Sequence, residues 1–358
     1  MARKPEVVVV GAGIVGLAAA DALVRRGAEV VVLDRGAPGA GQSAGIARGF
    51  RHLHATRAQI EQAIRARAGW DAWSARAGEP LVGEEGALRL GGDVDGDAAQ
   101  LRAAGVEASV LERAGDRHPA LVPDAGPLLW DPRGGAIRAR RAIAWLAAEL
   151  GVQRADVRAV APRRVETASG RVDCGHVVLC AGAGTERLWP HVAMRRVVHL
   201  RVTFASRDES APAGRASSAA RASSAATARP SWGAATWADR SGRFGAVTYG
   251  VADGPGHYAL GLAEVDFQPA TDDPRAEAVP EHVDLSPVRR RVHAYARAAF
   301  PGLGRPIDEV VRLLTILPGE DDDRYVVDRG PGLTVVAGHN LFKLAPALGE
   351  EVAAAICR

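Results

Sequence analysis

Three glycines and one aspartate near the N-terminus have the spacing of a phosphate and ribose site. The segment Gly11-Ala12-Gly13-Ile14-Val15-Gly16 fits G-x-G-x-x-G, and Asp34 follows it in the chain. Gly11 permits a tight turn, Gly13 lets the backbone approach a pyrophosphate, and Gly16 lets a helix pack closely on a strand. The Asp34 carboxylate can accept hydrogen bonds from both ribose hydroxyls and would repel a 2′-phosphate, although the adjacent Arg35 is cationic. The pattern predicts a dinucleotide site. FAD and NAD share the ADP half, so the pattern leaves both open.

These residues need a strand, a tight turn and a helix to position them, and the sequence predicts all three. Glu6–Val10 is a continuous β-branched run typical of a buried parallel strand, and Ile14–Arg26 has helical periodicity. Glu29–Leu33 is a second buried strand that ends at Asp34. A glycine-rich turn with a surface aspartate is the alternative, and the order strand, glycines, helix, strand and acid disfavours it.

The rest of the chain predicts an α/β fold in two parts. Buried strands recur at Val177–Cys180 and Leu333–Ala337, each before a glycine turn, and a last helix is expected from about Pro346 to Ile356. The middle has short strands typical of an antiparallel sheet, including His199–Ala205. We therefore predict a Rossmann-like dinucleotide-binding domain with an inserted antiparallel-sheet substrate domain.

Composition excludes several classes of protein. The 358 residues include 45 basic and 42 acidic side chains, a net charge of +3, and 47% hydrophobic residues. Only Lys4 and Lys343 are lysines, so 43 of the basic residues are arginines, a bias typical of GC-rich codon usage. Acidic residues balance the basic ones and no basic stripe is interleaved with aromatics, so we expect no nucleic-acid partner. No apolar run is long enough for a bilayer, so we expect no membrane association.

Other chemistries find little support. The three cysteines have neither metal-ligand nor disulfide-framework spacing, which favours a reducing, cytoplasmic location. His52 and His54 are expected to be solvated or satisfied loop histidines, and Asp321–Asp323 a charged turn, so no metal site is predicted. No Gly-x-Ser-x-Gly or catalytic-cysteine pattern indicates a hydrolase.

Further motifs resemble the FAD-dependent amine and amino-acid oxidases of the D-amino-acid-oxidase superfamily, in the sarcosine oxidase and glycine oxidase branch. The resemblance runs through the whole chain in order and is weakest in the inserted domain. The matching segments, besides Gly11–Gly16 with Asp34, are Gly41-Gln42-Ser43 leading to Arg48–His52, Gly134–Ile137, Val178–Ala183, Arg324–Asp328 and Ala337–Pro346. The last is the most specific, since it resembles the sarcosine oxidase segment in which a glycine turn, Phe-Lys and Ala-Pro open the final helix.

The resemblance implies an FAD-binding domain of residues 1–80, 140–198 and 305–358, and a substrate domain of 81–139 and 199–304. Residues 206–230, in which Arg-Ala-Ser-Ser-Ala-Ala occurs twice, are expected to be a mobile low-complexity loop, with a lid over the active site as a sharper alternative.

The resemblance also implies oxidation of the C–N bond of a small-molecule amine that carries a carboxylate. The leading substrate class is a secondary amine or N-substituted glycine, and a larger N-carboxymethyl amino acid of secondary metabolism is a weaker suggestion. Oxygen is the expected acceptor, giving hydrogen peroxide.

The functional residues of the family match individual positions of this sequence. Lys343 and Arg51 match the pair that holds the substrate carboxylate, and Arg48 matches a second arginine beside the flavin. Tyr249 matches a tyrosine of the substrate-domain sheet, with an ordinary half-buried sheet tyrosine as the equal alternative. The predicted cofactor-binding residues are Gly11, Gly13, Ile14, Val15, Gly16, Asp34, Arg35, Gly41, Gln42, Ser43, Arg48, Val157, Ala181, Gly182, Gly338, Asn340, Leu341, Phe342 and Lys343.

The sequence also departs from the family at several positions. Thr315 stands where covalent members attach flavin through cysteine, so FAD is expected to be noncovalent. Leu260 aligns with the lysine that activates oxygen in monomeric sarcosine oxidase, and apolar Leu317 lies near the carboxylate-binding arginine of glycine oxidases. One extra residue in Gly338–Lys343 means that His339 or Asn340 takes the place of the family histidine. A flavin dehydrogenase subunit that passes electrons to a partner protein, and a non-catalytic flavin-binding protein, are the alternative functions.

Overall fold

A computed structural model describes residues 5–118, 120–121, 126–207, 234–245, 247–263, 268–271, 276–318 and 325–357. The proposed low-complexity loop at 206–230 lies outside these residues from position 208 onward, as do Arg324 and Asp321–Asp323. Among the described residues, each helix is too short or too polar to span a bilayer.

A six-stranded sheet forms the first domain. Its strands are β1 (Val7–Val10), β2 (Val30–Asp34), β8 (Gln153–Arg154), β12 (His176–Leu179), β19 (Tyr325–Gly330) and β20 (Leu333–Gly338). The order is β19-β20-β12-β1-β2-β8, in which all neighbours are parallel except β19 and β20. The carboxyl ends of β1, β2, β12 and β20 therefore meet at one edge, where open α/β sheets bind ligands.

Alternating side chains of β1 bury both faces of this sheet. Val7 and Val9 pack among helices α1 (Ile14–Arg25), α2 (Arg57–Ala77), α4 (Ala139–Leu150) and α7 (Ala345–Ile356). Val8 and Val10 pack against a three-stranded sheet of β9 (Val157–Ala161), β10 (Arg164–Thr167) and β11 (Gly170–Asp173), and near α5 (Thr185–Leu188). The helices on one face hold α1 with its N-terminus at the sheet edge.

A nine-stranded, mainly antiparallel sheet forms the second domain. Its order is β17-β13-β16-β15-β14-β4-β6-β5, with β18 also paired to β13. The strands are β4 (Ala87–Leu90), β5 (Ser109–Leu111), β6 (Leu128–Asp131), β13 (Arg195–Ser206), β14 (Thr236–Asp239), β15 (Thr248–Ala252), β16 (His257–Leu262), β17 (Gln268–Thr271) and β18 (Leu303–Ile316). Helices α3 (Val94–Ala103) and α6 (Ser286–Ala299) pack on it, and β3 (Arg48–Phe50) pairs with β7 (Gly135–Ile137) between the domains.

The observed fold confirms the predicted class: a Rossmann-like sheet with an inserted, mainly antiparallel sheet. Two strands extend across the proposed domain boundaries. β13 begins at Arg195, before the boundary at 198/199, and β18 continues to Ile316, beyond the boundary at 304/305. The two strands pair along nearly their whole length, so both belong to the substrate sheet.

Candidate active site

A cavity of about 1110 Å³ lies between the edge of the six-stranded sheet and one face of the nine-stranded sheet. All of the predicted cofactor and catalytic residues line it except Gly16, which lies beneath it. A Cβ atom at Gly16 would overlap the carbonyl oxygen of Gly11, so the glycine permits the close approach of α1 to β1, as its position in the motif predicts.

The N-terminus of α1 opens into this cavity. Gly11 has a φ of +107° at the turn, and a Cβ there would overlap the carbonyl oxygen of Cys180. Gly13 is the N-cap and has no side chain to cap the helix, while the first helical N–H, of Ile14, donates to Ser43 Oγ at 3.1 Å. A helix start with backbone N–H groups and no side-chain cap fits a pyrophosphate.

Asp34 lies at the end of β2 in a position that suits a ribose. Its Oδ2 accepts from the N–H of Ala12 at 2.6 Å and its Oδ1 from the N–H of Gly36 at 2.8 Å. These bonds fix the carboxylate and leave further lone pairs for hydroxyl donors. Arg35 is ion-paired with Glu277, so its charge is already partnered by a carboxylate.

The loop 41–47 is held by arginines from three separate strands. Arg48, in β3, donates to the carbonyls of Gln42 at 3.2 Å and Ala47 at 2.8 Å, and also to that of Ala44. Arg201, in β13, donates to Ala47 O at 2.7 Å, and Arg312, in β18, donates to Ala44 O at 3.2 Å. Arg48 is therefore part of the cavity wall, which disfavours its interpretation as an ordinary surface arginine.

The segment after β20 brings Lys343 and Phe342 to the same cavity. The Trp70 indole stacks on Phe342 with 6.1 Å between ring centroids, and its Nε1 donates to the Lys343 carbonyl at 2.9 Å. The Arg48 guanidinium lies 5.4 Å from the Phe342 centroid on the ring face. Lys343 is only 2% exposed. Asn340 adopts a left-handed φ of 62°, which accommodates the extra residue of this turn.

Arg51 lines the cavity and keeps part of its surface exposed. Its neighbour His52 is buried, and its Nδ1 lies 2.9 Å from Asp131 Oδ2, so His52 is a satisfied histidine. Within the described residues, no group of three or more potential ligands could hold a metal ion.

Tyr249 belongs to a hydrogen-bonded chain that the sequence did not predict. Its hydroxyl contacts His199 Nε2, and the two rings stack with centroids 5.8 Å apart. Arg312 donates to His199 Nδ1 at 2.8 Å. Because a guanidinium can only donate, Nδ1 must accept, and the imidazole proton is inferred to lie on Nε2. Burial, followed by the charges of Arg312 and Arg201, holds the pKa of His199 well below its usual value, so the ring is neutral.

Three guanidinium groups share this part of the wall. Burial, and then the charges of Arg312 and Arg201, lowers the pKa of Arg48 well below its usual value. Burial and the neighbouring Arg201 lower the pKa of Arg312 to about 10, which still leaves it charged at neutral pH. The nearest carboxylate, Asp253, lies 3.4 Å from Arg201 and also accepts from Thr203 Oγ1 at 2.9 Å.

Sequence reasoning missed His199 and Arg201 of β13 and Arg312 of β18 because none of them belongs to a recognisable motif. One signal was present: His199, Arg201 and Thr203 alternate with apolar residues along β13. Such alternation predicts a sheet with one polar face, and a polar face made of buried residues indicates a site.

Two of the residues at which the sequence departs from the family, Leu260 and Thr315, do not line the cavity. Leu260 is fully buried in the core of the substrate domain, and Ala259 and Gly261, its neighbours in β16, point to the opposite face of the sheet. Thr315 is buried and accepts a hydrogen bond from the Gln42 amide. Cys180 does line the cavity, but burial raises its thiol pKa to about 12, which leaves the sulfur protonated and unreactive.

The comparisons with known proteins agree with this arrangement. Residues 6–355 match the DAO family model, described as FAD dependent oxidoreductase. No curated protein sequence gives a match. The fold is similar to NikD, an unusual amino acid oxidase essential for nikkomycin biosynthesis, with 22% identity over 99% of this chain and 94% of that one, at a TM-score of 0.77.

Two other structures are similar over comparable lengths. L-proline dehydrogenase from P. horikoshii has 20% identity over 99% of this chain and 93% of that one, with a TM-score of 0.77. Glycine oxidase from Geobacillus kaustophilus has 19% identity over 99% and 94%, with a TM-score of 0.74. At these identities the likeness establishes the fold.

Proposed function

The chain belongs to the DAO family of FAD-dependent oxidoreductases, and we propose that it oxidises the C–N bond of a carboxylate-bearing amine with noncovalently bound FAD. The observation that carries the proposal is the single cavity that joins the glycine turn and Asp34 to Lys343, Arg51 and the basic face of the substrate sheet. The first group of residues suits a dinucleotide, and the second suits an anionic small molecule.

Bound FAD would supply the acceptor for a hydride from the carbon next to the amine nitrogen. Gly11, Gly13 and the start of α1 would hold the pyrophosphate, and Asp34 the ribose. Lys343 and Arg51 would bind the substrate carboxylate, which fixes the amine relative to the cofactor. Tyr249 and its partner His199 would form the wall beside the amine. Water then hydrolyses the imine to a carbonyl compound and an amine.

Oxygen is the proposed acceptor, with one hydrogen peroxide formed for each amine oxidised. A dehydrogenase that passes electrons to a partner protein is the second candidate. This second candidate is supported by Leu260, which stands at the position of the oxygen-activating lysine and is buried in the hydrophobic core. Its neighbours Ala259 and Gly261 are also not lysines, so this stretch of β16 supplies no lysine to the cavity.

The substrate class is tested with the purified yellow protein under anaerobic conditions. N-methylglycine and larger N-alkyl glycines should bleach the flavin, and methylamines without a carboxylate should not. Admission of oxygen with peroxide detection then separates the oxidase from the dehydrogenase. Absence of bleaching with every carboxylate-bearing amine would reject both activities and favour a non-catalytic flavin-binding protein.

Two variants of Lys343 test its role in substrate binding. Lys343→Met should retain FAD and raise the KM for the N-alkyl glycine at least tenfold, since a buried charged hydrogen bond contributes about 1.5–3 kcal/mol. Lys343→Arg should recover part of this loss. Full activity of Lys343→Met would reject the role of the lysine.

Acid precipitation of the protein tests whether FAD is noncovalently bound. It should release all the yellow colour into the supernatant, and colour in the pellet would show covalent attachment instead.

A further inference from the structure

The cavity wall contains more buried positive charge than the proposed function uses. We define the arginine cluster as Arg48, Arg201 and Arg312 with the neutral His199. Arg201 is 1% exposed and Arg312 is 8% exposed. Asp253 is the carboxylate paired with this cluster, through Arg201 at 3.4 Å. Arg48 is half-buried, so three cations, two of them buried, face one carboxylate, which leaves an excess positive charge of about two.

Backbone carbonyls orient these arginines but do not neutralise them. Ala44 and Ala47 accept hydrogen bonds from the cluster, yet a carbonyl carries no net charge. In the described part of the chain, the buried Nε atoms of Arg201 and Arg312 have no hydrogen-bond partner. Buried charges of one sign are costly unless an anion joins them, so the cluster is suited to an anionic ligand.

The position of the cluster separates this ligand from the nucleotide. Arg201 and Arg312 belong to β13 and β18 of the substrate sheet, and both line the cavity. The glycine turn and Asp34 belong to the other sheet. An anion bound at Arg201 and Arg312 would therefore lie against the substrate sheet, whereas the proposed pyrophosphate site lies at the edge of the other sheet.

Arg201 of the cluster is also separate from Arg51, one of the two residues expected to bind the first carboxylate. Strand register places Arg89, Ala238, Tyr249, Gly261 and Arg201 in one row across β4, β14, β15, β16 and β13. Four strand spacings of about 4.8 Å put the backbones of Arg89 and Arg201 about 19 Å apart. Arg51 lies close enough to Arg89 for their charges to interact. Tyr249 stands between the two basic ends of the row.

We propose that the arginine cluster binds a second carboxylate of the substrate, so that the amine oxidised at this site is a dicarboxylate, such as an N-carboxyalkyl amino acid. This inference rests on the proposed function, because it assigns the first carboxylate to Lys343 and Arg51. The planar guanidinium groups of Arg201 and Arg312 suit the two oxygens of a carboxylate.

The test measures binding without turnover, by the change in the flavin absorption spectrum of the holoenzyme. The probes are thiodiacetate, with two carboxylates, and methylthioacetate, with one. Wild-type protein should bind thiodiacetate at least tenfold more tightly. Arg201→Met and Arg312→Met should reduce this ratio to below threefold, because thiodiacetate binding falls much more than methylthioacetate binding. Arg305→Met, at an exposed position of the same strand β18, is the matched control and should preserve the ratio.

Two further variants keep the test decisive where an Arg→Met variant does not fold. Arg312→Lys retains the charge and should retain part of the preference. Asp253→Asn is nearly isosteric and removes the anion that competes for Arg201, so it should strengthen thiodiacetate binding several-fold. Lys343→Met should weaken both probes.

Equal binding of the two probes by wild-type protein would overturn the inference. Equal weakening of both probes in Arg201→Met would also overturn it, because it would indicate that the cluster serves only the loop 41–47 or the flavin. Selective thiodiacetate binding by a protein that no amine bleaches would support the subsite and reject the proposed oxidation.

Discussion

His118 shows what a single buried residue contributes to the response of the protein to pH. Its ring packs among Trp237, Tyr258 and Phe300, it is 1% exposed, and neither ring nitrogen has a partner among the described residues. Burial lowers its pKa to about 3 from an ordinary value of 6.5. The neutral ring is therefore compatible with the fold, and the protonated ring is not.

The sign of the pH effect follows from this lowered pKa. Below pH 6.5 the unfolded chain binds a proton at His118 that the folded protein does not. The contribution of His118 to the free energy of unfolding is therefore fully present above pH 6.5 and is lost as the pH falls toward 3. We predict that His118→Leu removes this loss. Its stability relative to wild type should increase by about 1.4 kcal/mol per pH unit below 6.5.

Urea unfolding at pH 7.5 and pH 5.0 measures the difference. The variant should also gain about 1 kcal/mol at pH 7.5, since leucine leaves no buried nitrogen without a partner. The same substitution at exposed His282 serves as the control and should leave stability nearly unchanged. Parallel stability curves for wild type and His118→Leu would contradict the prediction.

Predictability from sequence also differs between residues. Gly11, Gly16 and Asp34 act through a local turn and adjacent strands, so their spacing alone predicts where they lie. His199 and Arg201 lie on one face of β13, and Arg312 joins them only because β13 pairs with β18, more than a hundred residues later. Alternation along β13 predicts a polar face, but no local spacing predicts that Arg312 lies beside it, and among 43 arginines its residue type carries no signal.

At the scale of elements, helices α1 and α7 approach each other closely next to the glycine turn. A Cβ atom at Gly349 would overlap the carbonyl oxygen of Ala18, which is backbone and cannot rotate away. Helix α1 has the glycine turn proposed to bind the pyrophosphate at its N-terminus, so the packing of α7 fixes the position of that turn.

We predict that Gly349→Ala lowers the free energy of unfolding by about 1–3 kcal/mol, because the added methyl forces the helices apart. Helix propensity alone would give the opposite sign, a gain of about 1 kcal/mol. FAD affinity should fall as well, since α1 shifts. Chemical denaturation and FAD titration measure the two effects, with Ala354→Ser at an exposed position of α7 as the control. A stabilised variant would show that α1 and α7 can separate without cost.

Helices with clear periodicity were predicted well. The helix expected at Ile14–Arg26 is observed at Ile14–Arg25, and the one expected from about Pro346 to Ile356 is observed at Ala345–Ile356. Long strands were not: β18 covers Leu303–Ile316, where no strand was predicted. Its first half is mostly exposed and polar, so hydrophobic alternation begins only near its end.

At the scale of the whole molecule, the cavity joins two sheets that have separate hydrophobic cores. A ligand that touches both should stabilise the entire protein. Free FAD at a hundredfold excess over its Kd adds about 2.7 kcal/mol to the free energy of unfolding. We predict that removal of FAD lowers the melting temperature, and that added FAD restores it in proportion to the logarithm of its concentration.

Riboflavin provides the matched control, because it lacks the ADP half that the glycine turn and Asp34 are expected to hold. It should restore little of the lost melting temperature in wild type. Asp34→Ala should weaken the effect of FAD without changing that of riboflavin. Equal stabilisation by the two compounds would show that the glycine turn contributes no binding energy.

The loop 41–47 connects the two ends of the site. Ser43 bonds to the start of α1, while the carbonyls of Ala44 and Ala47 bond to Arg312 and Arg201 of the other domain. We therefore expect occupancy of one end to change the affinity of the other, and thermodynamic reciprocity then requires the two effects to be equal. The factor by which FAD tightens the binding of a dicarboxylate must equal the factor by which that dicarboxylate tightens the binding of FAD. Affinity for substrate and retention of cofactor are then one coupled property, and selection acting on either alters both.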